Sequence, residues 1–168
     1  MPTARLRPVG HENFDAINHR LLDLLTQDGR TSYQAMADEV GLSRPAVMER
    51  IKRLEEAGVI RGYTAVLDRA RIGRPVTAFI SVRFPTSSVI GIEPEIQALL
   101  SNPDVLECHH VAGEDCYMLK VAAPSLERLE KVLRTIKSGE NASTTRTTIV
   151  LSTVFEKAVL PPPLAGDD

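Results

Sequence analysis

Cysteine is scarce: only Cys108 and Cys116 occur in 168 residues. They form no CxxC motif, and two thiols make no disulfide framework. If Gly113 to Asp115 turn a hairpin, Cys116 falls near Ala112 and Cys108 nearer Lys120. Both are therefore expected as buried or half-buried free thiols in a reducing cytoplasm. No apolar run approaches the ~20 residues a membrane span needs. The opening MPTARLRPVGHENF is basic but lacks the apolar stretch of a secretory signal, so the expected location is the cytoplasm. GxSxG, P-loop and HExxH patterns are absent. Of the four histidines, His109 and His110 are adjacent in a β-rich stretch, so they point to opposite faces and share no metal. No enzyme activity, cofactor or metal is expected.

Net charge is also small, −2, in a chain that is 43% hydrophobic and 25% charged, ordinary for a globular protein. Its distribution is more informative. Residues 1–74 hold 12 Lys/Arg and 10 Asp/Glu, whereas residues 75–168 hold 8 and 12. Within Leu42 to Arg53 four basic residues face a single acid. Phosphate neutralisation is local, so a basic patch on an acidic protein is compatible with DNA binding. The same charges also suit a solvated helix face.

The stretch from Thr31 to Asp68, TSYQAMADEVGLSRPAVMERIKRLEEAGVIRGYTAVLD, separates these readings. It predicts two short helices around a corner at Gly41, a residue that tolerates the positive φ such a corner needs. Ser43 is the expected N-cap of the second helix, and Pro45 lies in its first turn, where a missing N–H costs nothing. Val47, Ile51 and Leu54 form one apolar stripe over Arg44 to Glu56. An earlier helix from about Asp15 to Gln27 has Ile17, Leu21, Leu24 and Leu25 as its stripe. The middle helix, about Ser32 to Val40, turns Tyr33, Met36, Ala37 and Val40 inward. Three single-striped helices make a tri-helical helix-turn-helix unit, whose last helix is the one presented to a DNA major groove.

That helix supplies the DNA-binding candidates. Ser43 and Arg44 sit at its N-terminus, where free N–H groups favour a phosphate. Pro45, Met48 and Glu49 are positioned for base edges, and a Glu there accepts from a cytosine amino group. Lys52 and Arg53 suit backbone contacts. Arg50 suits either DNA or a carboxylate inside the protein. Thr31, Ser32 and Tyr33 offer a further phosphate contact, although Tyr33 reads better as core.

Val59 to Leu67 is expected to be a linking strand, and Arg69 to Pro75 a hinge. Beyond it the pattern predicts strands over Val76 to Phe84, Val105 to Ala112, Cys116 to Ala122 and Thr144 to Phe155. Helices are expected over Ser88 to Leu100 and from Pro124 and Ser125 to about Lys137. This β-α-β-β-α-β order is the ferredoxin-like arrangement, making the whole an α+β fold. Two helices cover one sheet face. Apolar residues on the other alternation, such as Phe79, leave the second face in need of a partner, most simply a second copy of the chain. The expected divisions are a flexible arm (1–13), the helix-turn-helix domain (14–58), the linking strand and hinge (59–75), the ferredoxin-like domain (76–157) and a flexible tail (158–168).

Gly29 to Asp68, VAGEDCYMLKV (Val111 to Val121) and TRTTIVLS (Thr145 to Ser152) together resemble the Lrp/AsnC, or feast/famine, family over roughly residues 14–157. The resemblance implies a transcription regulator of amino-acid metabolism. It implies dimers formed through the C-terminal sheet, with assembly up to octamers. It also implies a small effector, commonly an amino acid, bound in the C-terminal domain at the contact between dimers. The family's effector loop falls on Gly113, Glu114, Asp115 and Cys116, with Thr147 and Thr148 as further pocket residues. Cys116 stands where the family often has an acid. An ammonium group would find Glu114 or Asp115 as acceptor, and a carboxylate would find turn N–H groups. Gly-Glu-Asp is equally an ordinary turn composition. The expected partners are therefore double-stranded DNA with an imperfect palindrome and a small effector. Other readings are an effector-independent architectural DNA-binding protein and an amino-acid-sensing module that binds no DNA.

Overall fold

The structure, a computed structural model, describes residues 15–84, 94–137 and 144–156. Among these it divides into two compact units, residues 15–65 with 155–156 and residues 66–154. The expected arm and tail lie outside the described residues.

The first unit is tri-helical: α1 (Ala16–Gln27), α2 (Tyr33–Val40) and α3 (Arg44–Glu56). Each helix starts on a side-chain cap. Asp15 accepts from the Asn18 N–H at 2.7 Å, Ser32 from Ala35 at 3.1 Å and Ser43 from Ala46 at 3.4 Å. Such caps satisfy N–H groups that have no partner within the helix. α2 ends at Gly41, whose φ of +68° belongs to the left-handed region. Its chain then bends into α3, with the Leu42 N–H returning to the Ala37 carbonyl. The core comprises Leu21, Leu22, Met36, Ala37, Val47, Ile51 and Leu54. Ile17, Leu24, Leu25 and Val40 pack on it from the side. Two corrections arise here. Leu22, outside the expected stripe, is buried, and Tyr33, read as core, is 36% exposed. Tyr33 is the first residue of α2, and in that opening turn its ring is left in solvent.

The second unit is an antiparallel sheet of β1 (Val76–Arg83), β2 (Val105–His110), β3 (Tyr117–Ala123) and β4 (Thr144–Ile149), in the order β2-β3-β1-β4. α4 (Pro94–Gln97) lies between β1 and β2 in the chain, and α5 (Leu126–Lys137) between β3 and β4. This is the expected βαββαβ order. Ala78, Ile80 and Val82 of β1 and Tyr117, Leu119 and Val121 of β3 pack with Ile96 and Leu99 and with Leu129, Val132 and Ile136 of α5. Phe79 and Met118, on the opposite face, remain 41% and 40% exposed.

Element ends differ from the sequence reading. Residues 59–67 form no ladder, so the expected linking strand is not one within this chain. β4 stops at Ile149 rather than Phe155, and Leu151 and Val154 are exposed. Residues 59–67 have a strand-like sequence but no neighbouring strand among the described residues, and the segment after Ile149 keeps only the Val150 N–H bond to the Thr77 carbonyl before β1 ends at Val76; without a neighbour a strand has nowhere to place its backbone hydrogen bonds. β2 ends at His110, and β3 runs one residue past Ala122. Of the helix expected over 88–100, residues 88–93 lie outside the described residues; the described part is helical only to Gln97 and continues as turns. The thiols are free, but only Cys116 is half-buried: Cys108, on the edge strand β2, is exposed rather than buried. Cys108 lies opposite Leu119, and the Val111 N–H bonds the Cys116 carbonyl, each one position from expectation.

A buried carboxylate, missed from sequence, closes this unit. Asp104 is 1% exposed and pairs with both Arg74 and Arg128. Arg74 also donates to the Ala122 carbonyl at 3.0 Å and the Pro103 carbonyl at 3.2 Å. Burial alone pushes the Asp104 carboxyl up, but the two guanidinium groups outweigh it and hold it below its ordinary value.

Candidate nucleic-acid interface and effector turn

The buried side of α3 is Val47, Ile51 and Leu54. Its exposed residues include Ser43 at the cap and Arg44, Pro45, Met48, Glu49, Lys52 and Arg53. Met48 is 43% exposed, a large apolar side chain in water. The cations differ in how they are held. Arg53 Nε donates to Glu49 Oε1 at 3.0 Å, and Lys52 Nζ lies 3.7 Å from Glu56. Both are exposed i,i+4 pairs within α3, worth ~0.3–0.5 kcal/mol and easily exchanged for a phosphate. Arg44 has no ion pair among the described residues. Among the described residues Arg50 is the one α3 cation that reaches another helix, donating to Asp15 at 2.7 Å and Asn18 at 3.0 Å. Partial burial raises the Asp15 carboxyl, but the Asn18 N–H and Arg50 bring it below its usual value.

The start of α2 is already engaged. The Thr31 hydroxyl donates to the Asp28 carbonyl at 2.7 Å, and Ser32 is the cap. Tyr63, beyond α3, donates to Glu55 at 2.9 Å, and a Cβ placed on Gly29 would lie 3.8 Å from its ring. Burial and this carboxylate partner push its phenol up to about 12.

In the second unit, Gly113, Glu114, Asp115 and Cys116 connect β2 to β3. Gly113 has φ +141°, a conformation L side chains rarely adopt. The half-buried Asp115 pairs with Arg146 of β4 at 2.9 Å, and the Cys116 N–H bonds the Val82 carbonyl at 2.8 Å. The turn is thereby attached to β1 and to the far edge strand. Glu114 is exposed. Thr147 lies opposite Ile80 and Thr148 opposite Phe79. Those two threonines therefore occupy opposite sheet faces: Thr147 the helix-covered side, Thr148 the side of Phe79. His109 meets Glu107 at 3.2 Å, while the His110 ring lies 5.0 Å from that of Tyr117. Among the described residues no group of three or more His, Cys, Asp or Glu is arranged to hold a metal. No described helix is long and apolar enough to cross a membrane.

A three-helix unit followed by this sheet agrees with two family models. The AsnC-type helix-turn-helix domain matches residues 14–55, and the Lrp/AsnC ligand binding domain matches residues 77–160. The chain belongs to the Lrp/AsnC family of transcriptional regulators. It is 35% identical to the HTH-type transcriptional regulator LrpA of Mycobacterium tuberculosis over 86% of this chain and 95% of that one. It is 34% identical to the leucine-responsive regulatory protein of Rhizobium meliloti, over 83% and 90% of the respective chains. Among solved structures, a feast or famine regulatory protein from M. tuberculosis, in complex with L-methionine, superposes with a TM-score of 0.79 at 33% identity. That match covers 88% of this chain and 99% of the other.

Proposed function

We propose that this Lrp/AsnC regulator reads an imperfect palindrome with α3 and answers to an amino-acid effector held around the Gly113–Cys116 turn. The observation that carries the effector reading is the attachment of that turn. Asp115 is tied to Arg146 and the Cys116 backbone to Val82, so the acids are presented from a fixed frame. Glu114 takes the ligand ammonium, and turn N–H groups take its carboxylate. Of the two threonines, Thr147 lies on the helix-covered side and Thr148 on the face of Phe79. The methionine complex of the M. tuberculosis relative supports this ligand class.

On the DNA side, Ser43 and Arg44 hold phosphate, Pro45, Met48 and Glu49 meet base edges, and Lys52 and Arg53 follow the backbone. The exposed Phe79 and Met118 support a dimer formed through the open sheet face. A dimer presents two recognition helices about one DNA turn apart, ~34 Å. Effector bound at contacts between dimers changes assembly up to the octamer, and with it DNA affinity, by a coupling energy of ~1–3 kcal/mol. The protein acts in the cytoplasm, without catalytic activity.

The test is a thermal-shift screen against the twenty amino acids, followed by sedimentation and DNA binding with any hit. A ligand at ~100 times its Kd adds ~2.7 kcal/mol and raises Tm by several degrees. One clear hit, weakened by Glu114→Ala, is the expected result. No shift with any amino acid, or a hit that leaves both assembly and DNA affinity unchanged, would remove the effector reading.

A further inference from the structure

Arg50 stands apart from the other cations of α3. Its side chain is 30% exposed, against 65% for Lys52 and 71% for Arg53. Its partner Asp15 has two tasks: Oδ1 accepts the Asn18 N–H that starts α1, and Oδ2 accepts from Arg50 Nη1. The same Nη1 donates to Asn18 Oδ1. One carboxylate thus joins the first turn of α1 to the middle of α3.

We propose that Arg50 is a positioning residue, which fixes α3 against the start of α1 and does not itself contact DNA. Apolar contacts between helices are non-directional. The Val47–Ile51–Leu54 stripe seats α3 on the core. A charged hydrogen bond to a carboxylate that also caps α1 is directional and ties the rotation of α3 to the first turn of that helix. Rotation of α3 decides which of Pro45, Met48 and Glu49 reaches a base edge. Were Arg50 to turn outward to a phosphate, Asp15 would lose its cation beside a polyanion, which opposes the exchange. The assignment rests on α3 as the DNA-reading helix.

The experiment compares Arg50→Ala and Asp15→Asn with the unmodified protein. The probe is a duplex that the unmodified protein selects from a random pool, titrated over a series of salt concentrations. Circular dichroism checks folding. Arg50→Ala is expected to bind about two- to fivefold more weakly at every salt concentration, the range of a partly exposed ion pair, with the salt slope unchanged. Asp15→Asn keeps a capping oxygen and removes a negative charge, yet is expected to weaken binding as well. The double variant is expected to be no weaker than the poorer single one. A slope reduced by ~0.9 per bound protomer in Arg50→Ala would make Arg50 a phosphate contact and overturn the assignment. Tighter binding by Asp15→Asn would do the same, because the freed guanidinium would then be reaching DNA. Unchanged affinity in both variants would also overturn it. If Arg50→Ala does not fold, Asp15→Asn decides alone. If the unmodified protein selects no duplex, the DNA reading fails first and takes this assignment with it.

Discussion

The helical unit and the sheet unit use their polar groups in opposite places. In the helical unit the directional bonds lie at the surface: three caps, the Asp15–Arg50 tie and the i,i+4 pairs of α3. In the sheet unit the decisive polar group, Asp104, is enclosed, with one arginine 28% and the other 41% exposed. Water weakens each surface bond and also replaces it when it is lost, whereas a buried acceptor depends on its protein partners alone. Stability is therefore distributed over many small contributions in the helical unit and concentrated in a few large ones in the sheet unit.

The strongest challenge to that contrast is Leu119→Ala. Leu119 is fully buried at the centre of β3, beneath the helices. Its truncation is expected to cost about 3 kcal/mol, the lower middle of the range for buried leucines. Calorimetry reads the effect as a lowered transition of the sheet unit. A loss below about 1 kcal/mol would mean that this core collapses around the cavity and is not the rigid partner in the comparison.

Asp104→Asn is the next step down. It removes a charge from two arginines that can both turn partly to water, so the expected loss is about 2 kcal/mol, within the range for hydrogen bonds to charged groups. The pH dependence has a definite sign. The native carboxyl is held below the ordinary 3.8, so its stabilisation is complete above that value and disappears as pH falls through the native pKa. The stability gap between the unmodified protein and Asp104→Asn should stay flat at neutral pH and narrow only in strong acid. A gap that widens on acidification would show that the pairing with Arg74 and Arg128 does not stabilise the charged form.

The same contrast explains what the sequence reveals. α3 was legible to the residue, Arg44–Glu56, because its signals are local: a serine cap, a proline in the first turn and one stripe. Strand ends carry no such signal. Residues 59–67 and 152–155 have β-rich sequences, yet no described strand lies beside the first and β1 does not reach the second. Asp104 was invisible because its partners lie 30 and 24 residues away, and nothing in NPDV marks a buried carboxylate. Arg50 was ambiguous for a related reason. Spacing put it on the flank of α3, but the choice between DNA and Asp15 depends on a contact 35 residues away in sequence. At the effector turn the Gly-Glu-Asp composition was plain, while its attachment through Arg146 and Val82 required the sheet order β2-β3-β1-β4.

The smallest expected effect sharpens the comparison from the helical side. Ser43 caps α3 through a bond of 3.4 Å, longer than those of Asp15 and Ser32. Losing a serine cap typically costs ~0.5–2 kcal/mol. The length of this bond and its exposure put Ser43→Ala at the bottom of that range, about 0.5 kcal/mol. Ser43→Asp keeps an acceptor and adds a charge favourable to the helix dipole, so it should restore the stability lost in Ser43→Ala. Its effect on DNA binding should be the reverse. A carboxylate at the α3 N-terminus occupies the place proposed for a phosphate, so affinity should fall even as Tm recovers. Denaturant titration beside duplex binding at fixed salt separates these outcomes. If Ser43→Asp recovers both stability and affinity, the N-terminus of α3 does not face the DNA backbone, and the phosphate roles proposed for Ser43 and Arg44 fail together.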